Sequence, residues 1–355
     1  MYFLPAETKL DVLKCLNSDQ LCSIKQANCY LRNFIDEHGA ALARMEFAKL
    51  SIWQAAIAKS YNLVFTSMIY EVITIDVDNI DQKSIVYIGM TFEWQAAIAK
   101  SIPLFLHDDF ESCKKFTIGL QKTFVSKDGK CFYHLLNLPN FPKNIKEMII
   151  VRCWLERLFN CVFEFGYFYK VVFNPEMINL LFDNDKTIPL QFHIERPSLL
   201  ASNIKFEDAL KFILNHLDAS ISLNFNFNEI NIGEQHINML LNMLTSGGNK
   251  LPHISLRCSK LTRLYDLIAE YIATSRNCSK MVASIALFYF STPNLKLNEK
   301  AEKVEIKQEK LTEREKFIYG QITGKITNFQ IANIHNPKER FAFENRDKYT
   351  FIRRM

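Results

Sequence analysis

Strand and helix patterns alternate from about Lys146 onward, and this alternation constrains the fold more than any other feature of the chain. The predicted strands are 188–194, 221–228, 253–258 and 285–289, and the predicted helices between them are 206–217, 237–244 and 261–272. Strands joined by helical crossovers lie parallel, because a right-handed crossover returns the chain to the same end of the sheet. The sequence therefore predicts a parallel sheet with helices packed on one face.

Polar and apolar residues alternate within these predicted strands, so the second face of the sheet is expected to stay open. The polar positions that we expect on this face, as candidates for binding a protein target, are Gln191, His193, Ser222, Asn224, Asn226, His253, Ser255 and Arg257. The same pattern is equally typical of the solvated side of a half-buried sheet. The arrangement resembles an irregular leucine-rich-repeat-like arc, in which stacked units form an extended binding surface.

The start of the chain has a Leu-Pro dipeptide followed by leucine-rich helical segments. Pro5 suits a first helical position, and Glu7 adds a carboxylate where the helix dipole favours negative charge. Leu10, Leu13 and either Cys15 or Leu16 then recur at helical spacing. Residues 17–19 can end this helix and cap a second, whose apolar positions are Leu21, Ile24 and Ala27, and a third short helix is predicted at 30–35. Because so small a unit buries little apolar surface, it usually needs a partner or an attached domain.

Residues 1–48 resemble an F-box, the helical module that binds the Skp-type adaptor of cullin-based ubiquitin ligases. The resemblance assigns adaptor binding to Leu4, Pro5, Glu7, Leu10, Leu13, Leu16, Leu21 and Ile24. Two positions depart from the family pattern, since Ala27 stands in place of the usual Val and Leu31 in place of the usual Trp. Both changes reduce the apolar area available for burial and predict a weaker adaptor contact. The alternative is an ordinary N-terminal helical hairpin.

The order of an F-box-like module before a strand-helix domain is similar to substrate-receptor F-box proteins, especially lineage-expanded nematode-type families. The resemblance implies that the N-terminal helices bind the adaptor while the C-terminal domain presents a protein target for ubiquitination by a separate enzyme. Such a chain is a non-catalytic subunit that acts through proximity. The alternatives are a repeat-type protein-binding module with no ubiquitin-ligase role, and a module whose helices serve self-association.

The 355 residues are 48% hydrophobic and 23% charged, which is typical of a globular protein with room for two or more domains. We predict an α+β chain with divisions at 1–48, 49–145, 146–292 and 293–355. The second division holds an octapeptide, WQAAIAKS, that occurs at Trp53–Ser60 and again at Trp94–Ser101. Its alanine content favours helix in both copies. Between the copies, β-branched stretches at 70–80 and 84–90 predict two strands.

Several classes of activity lack support in the sequence. Glycine is scarce at 10 residues, and neither a dinucleotide-binding nor a P-loop fingerprint occurs. Cys153, Cys161, His134 and His193 could act in catalysis, but no nucleophile elbow and no H-E-x-x-H motif accompanies them. The nine cysteines include no C-x-x-C pair, which predicts reduced thiols and no metal site. We therefore expect no enzyme activity and no cofactor.

Positive charge is concentrated at the C-terminal end, where residues 296–355 hold 14 Lys and Arg against 9 Asp and Glu. The signs alternate along 296–316, which is typical of a solvated face and not of a nucleic-acid-binding stripe. Strand patterns at 304–308, 321–334 and 339–345 predict an antiparallel closing element. Since no 18-residue apolar run or signal peptide is present, we expect a cytoplasmic or nuclear protein without membrane or nucleic-acid partners.

Overall fold

Three short helices begin the chain in the computed structural model, which describes residues 4–54, 70–75, 92–107, 115–122, 131–182, 190–201, 206–295, 297–309 and 324–355. They are α1 (Ala6–Lys14), α2 (Ser18–Ala27) and α3 (Cys29–Glu37). A capping box starts α2, because the Asn17 side chain accepts from the Gln20 N–H at 2.9 Å while the Gln20 side chain accepts from the Asn17 N–H at 3.0 Å. The three predicted helices are therefore present.

The remaining helices of the described part of the chain are α4 (Phe92–Ala99), α5 (Ile145–Phe159), α6 (Pro175–Phe182), α7 (Phe206–His216), α8 (Glu234–Ser246) and α9 (Thr262–Thr274). The strands are β1 (Met45–Gln54), β2 (Tyr70–Ile75), β3 (Phe105–His107), β4 (Lys115–Gln121), β5 (Cys131–Pro139), β6 (Cys161–Tyr169), β7 (Val171–Phe173), β8 (Phe192–Leu200), β9 (Leu217–Ala219), β10 (Leu223–Asn226), β11 (His253–Arg257), β12 (Ser284–Phe288), β13 (Ala301–Gln308), β14 (Lys325–Ala332), β15 (Arg340–Asn345) and β16 (Tyr349–Arg354).

One mixed sheet runs through the described residues in the order β13-β14-β15-β16-β12-β11-β10-β8-β6-β1-β4-β5-β2, with β9 beside β8. Its centre, from β1 through β6, β8, β10 and β11 to β12, is parallel. Strands β3 and β7 form a separate antiparallel pair. A helix lies between each two successive parallel strands from β6 to β12, while β7 directly follows β6 and β9 lies directly before β10. The predicted alternation of parallel strands and helices is confirmed, and the chain is mixed α/β.

Phenylalanine side chains fill much of the space between the sheet and its helices. Phe192 of β8 stacks on Phe173 of β7 with ring centroids 4.7 Å apart, and it meets Phe159 of α5 edge-on at 4.9 Å. The ring of Phe212 from α7 lies 5.9 Å from that of Phe192. The same continuous core extends from Phe47 in β1 to β16. Strands from 49–145 and from 293–355 thus share one sheet and one core with the strand-helix region.

The described residues of the two octapeptide copies differ in structure. Trp94 lies in α4, is buried, and donates from Nε1 to the carbonyl of Leu180 at 3.1 Å. Trp53 and Gln54 instead end β1, where Trp53 pairs with Thr117 of β4. The helix prediction is wrong for these two residues, because ladder pairing with β4 outweighs the local preference. Residues 55–60 and the predicted strand at 84–90 lie outside the described residues, and β2 accounts for the start of the strand predicted at 70–80.

The C-terminal strands β13, β14, β15 and β16 form an antiparallel series, and β16 then pairs antiparallel with β12. The buried side chain of Asn333, just after β14, donates to the carbonyls of Ile272 and Ser275, both at 2.7 Å. These bonds attach the series to the end of α9. The predicted β-rich closing element is confirmed, and it extends the sheet beyond its parallel part.

Candidate functional site

One face of the parallel strands contacts the helices, and we call the opposite face the open face. Side chains facing the helices are fully buried, as with Phe225 of β10 and Leu256 of β11. Their neighbours on the open face reach solvent, and Asn224 and Arg257 are exposed. The strand alternation predicted from the sequence therefore has the correct phase.

All eight residues predicted for target binding lie within or directly beside strands of this face. Six belong to strands, namely His193, Asn224, Asn226, His253, Ser255 and Arg257, whereas Gln191 precedes β8 and Ser222 precedes β10. Cross-strand register places Asn224 between Ser198 and Ser255. These short polar side chains form a row that we call the floor, consisting of Ser198, Asn224 and Ser255. A floor of small side chains leaves room for a bound chain above the sheet.

His253 is part of a hydrogen-bond network on the open face. Its Nδ1 is hydrogen-bonded with Ser284 Oγ at 2.8 Å, and its Nε2 with Ser255 Oγ at 3.1 Å. Burial lowers the pKa of His253, and the nearby Arg353 lowers it further. The ring is therefore neutral at pH 7, with one nitrogen donating and the other accepting. His253 orders the floor without adding charge.

His193 occupies a different environment at the start of β8. Its Nδ1 is hydrogen-bonded to Asp218 Oδ2 in β9 at 2.8 Å. Within the described residues, its Nε2 is buried without a hydrogen-bond partner. The contact with Asp218 joins β8 to β9, so His193 supports the strand pairing and presents no exposed nitrogen to a ligand.

Aromatic residues at both ends of the floor were missed in the sequence analysis. On β6, Phe165 and Tyr167 are stacked at 6.4 Å, and the Lys49 amine lies 4.3 Å from the centre of the Tyr167 ring. On the other side, Phe288 of β12 approaches Tyr349 of β16 at 5.9 Å. Strict alternation in CVFEFGYFY would place Phe165 and Tyr167 on the same face as the buried Phe163, so the first group depends on a change of phase within β6. The second group depends on the pairing of β12 with β16.

The N-terminal helices form a small unit with its own core of Leu13, Leu21, Ile35 and Leu42. Of the residues assigned to adaptor binding, Leu13 and Leu21 are buried in that core, Leu10, Leu16 and Ile24 pack against it, and Leu4, Pro5 and Glu7 are exposed. Leu31 is also buried, whereas Ala27 is exposed. The solvent-facing apolar side chains of the unit include Leu4, Val12 and Tyr30, each about 40% exposed. A partner would contact these exposed positions, while the buried leucines hold the unit together.

The cysteines considered for catalysis are poorly placed to act as nucleophiles. Burial raises the pKa of Cys153, and the neighbouring Glu156 raises it further, so the thiol stays protonated at neutral pH. Cys161 is buried and donates to the carbonyl of Arg157 at 3.2 Å. Burial and the charge of Lys122 lower the pKa of His134. Within the described ranges, no group of three or more His, Cys, Asp or Glu residues could hold a metal ion.

Residues 89–228 match the model of a family described as Domain of unknown function (DUF8381). The matched stretch runs from α4 to β10 and excludes the N-terminal helices and the C-terminal strands. No curated protein and no solved structure matches the chain. None of the helices among the described residues has the length and apolar composition needed to cross a membrane. A central part of this chain is thus similar to a family whose function is unknown.

Proposed function

We propose that the chain is a non-catalytic substrate receptor of an SCF-type ubiquitin ligase, acting in the cytoplasm or nucleus. In this proposal, the N-terminal helices bind a Skp-type adaptor and the open face holds a protein target. The observation that carries it is the N-terminal unit, whose core has four buried side chains while Leu4, Val12 and Tyr30 face solvent. A unit with so small a core gains stability when a partner covers its exposed apolar surface.

The sheet supports the second half of the proposal. We interpret β6 to β12 with their helices as an irregular leucine-rich-repeat-like arc, because successive parallel strands are neighbours in sequence order. Helices occupy one side, so the floor and the aromatic groups beside it remain available to a protein. The receptor performs no bond chemistry in this proposal, since holding the target near a charged conjugating enzyme raises the effective concentration of its lysines.

Co-purification of the full chain with a Skp-type adaptor tests this proposal. The informative variant combines Leu4→Asp with Val12→Asp, because both side chains are exposed and their replacement leaves the core intact. Leu13 is unsuitable, since a charge at this fully buried position would unfold the unit. Asn33→Asp, at an exposed position of α3, is the matched control for added negative charge.

We expect the wild-type chain and the Asn33→Asp control to elute with the adaptor. The double variant should bind at least about tenfold more weakly, which is about 1.4 kcal/mol. Circular dichroism should give the same helix content for all three chains. A wild-type chain that does not associate with the adaptor would overturn the receptor proposal and leave a repeat-type protein-binding module with no ubiquitin-ligase role.

A further inference from the structure

Three aromatic rings and two arginines meet on the open face where β11, β12 and β16 lie side by side. The centroids of Tyr349 and Phe351 are 5.1 Å apart, and Phe288 lies 6.3 Å from Phe351. The guanidinium of Arg257 is 5.4 Å from the centre of the Phe288 ring, and that of Arg353 is 5.7 Å from the centre of the Phe351 ring. We call these five residues the arginine–aromatic cluster.

Neither arginine of the cluster forms an ion pair within the described part of the chain. Two other arginines of the sheet are ion-paired, since Arg196 of β8 bonds Glu164 at 3.0 Å and Arg340 of β15 bonds Glu302 at 2.6 Å. A guanidinium has five N–H donors, and a cation–π contact with a ring does not require these donors. Arg257 and Arg353 are both exposed, so these donors are accessible to an anion.

We propose that the arginine–aromatic cluster binds a carboxylate side chain of an acidic protein segment that lies extended across the open face. This inference rests on the proposed function, in which the open face holds a target, and it names the chemistry of that target. A carboxylate matches the planar donor fork of a guanidinium and can accept two parallel N–H bonds. The rings supply an apolar surface for the neighbouring side chain, and the floor leaves room for the backbone.

Charge complementarity favours a protein segment over a nucleic acid. Carboxylates share the face with the unpaired cations, since Glu164 and Glu195 both contact Arg196, at 3.0 and 3.5 Å. A phosphate backbone that followed the sheet would approach these acidic groups, whereas nucleic-acid-binding grooves present cations along their length. A peptide with separate acidic side chains can place each carboxylate at a cation and avoid the glutamates.

The opposite end of the floor offers a second cation for the same segment. The Lys49 amine forms a cation–π contact with the Tyr167 ring. It forms no ion pair within the described residues. Lys49 lies on β1 and Arg257 on β11, and the four strand spacings between these strands correspond to about 19 Å at about 4.8 Å per strand. An extended chain covers that distance in about six residues. The segment therefore carries a second acidic residue about six positions from the first.

Fluorescence anisotropy with the full chain tests the inference. The probe is a labelled peptide containing Glu-Phe-Ser-Gly-Ser-Phe-Glu, and the matched peptide has Gln in place of both Glu residues. The variant is Arg257→Gln with Arg353→Gln. The control is Arg263→Gln, because Arg263 lies on α9, on the opposite side of the sheet, and is also well exposed. Circular dichroism verifies that both variants are folded.

We expect the wild-type chain and the Arg263→Gln control to bind the Glu peptide at least tenfold more tightly than the Gln peptide. The double variant should lose at least tenfold in affinity for the Glu peptide. The inference is overturned if the wild-type chain does not bind the Glu peptide up to millimolar concentration, or if the control loses as much as the double variant. Binding of a ten-nucleotide oligothymidylate in place of the peptide would overturn it in favour of a nucleic acid. Adaptor co-purification depends on the N-terminal helices and not on the arginine–aromatic cluster. A failure of peptide binding would therefore overturn this inference without overturning the proposed adaptor binding.

Discussion

Replacing Asn333 with Ala should destabilise the attachment of the C-terminal strands to α9. The Asn333 amide donates to the carbonyls of Ile272 and Ser275, both at 2.7 Å. Its Oδ1 accepts from the backbone N–H groups of His335 and Asn336 at 2.8 and 3.0 Å. Each hydrogen bond contributes about 1 kcal/mol, so the variant should lose about 3 to 4 kcal/mol of the free energy of unfolding.

Urea unfolding followed by tryptophan fluorescence measures this change, with the slope of the transition compared between proteins. Asn336→Ala is the matched control, because the Asn336 side chain is exposed and only its backbone N–H bonds Asn333. We expect the control to stay within about 0.5 kcal/mol of the wild-type chain. A loss below about 1 kcal/mol for Asn333→Ala would refute the reasoning, because the four bonds would then contribute little beyond what water supplies.

Two further predictions concern a glycine contact and a histidine. A Cβ on Gly248 would lie 2.5 Å from the carbonyl oxygen of Met281 and 2.7 Å from that of Lys280, so Gly248→Ala should lower the free energy of unfolding by about 1–3 kcal/mol. Gly39→Ala, where nothing lies within 4 Å, is the control in the same urea assay, and equal losses would contradict the steric argument. NMR titration of His253 should give a pKa below the ordinary 6.5, and Arg353→Gln should raise this pKa without restoring it fully, because burial is the larger cause. Since the folded pKa of His253 is lowered, its neutral form favours folding above pH 6.5, and that contribution is lost as pH falls from about 6.5 through the folded pKa. If the pKa of His253 does not change in Arg353→Gln, the positive charge of Arg353 does not lower it.

Much of the central fold could be predicted from the sequence because it depends on local periodicity. The alternation of Leu223 and Phe225 with Asn224 and Asn226 identifies a strand and assigns its two faces without reference to any neighbour. Helix spacing between such strands then indicates parallel pairing. Asn224 and Ser255 of the floor were predictable for the same reason. Ser198 was not, because β8 continues to Leu200, beyond the predicted strand at 188–194, and its buried positions change phase between Ile194 and Pro197.

The ends of the candidate site depend on contacts between distant segments. Phe288 and Tyr349 are cross-strand neighbours only because β16 pairs with β12. The repeated octapeptide shows the same effect, since Trp53 is in a strand beside β4 while Trp94 is in a helix. The sequence alone determined the strand-helix alternation and the polarity of the faces of β10 and β11, because these follow from neighbouring residues. Only the tertiary structure decided which strands meet and which side chains they bring together, because pairing depends on the packing of residues far apart in the chain.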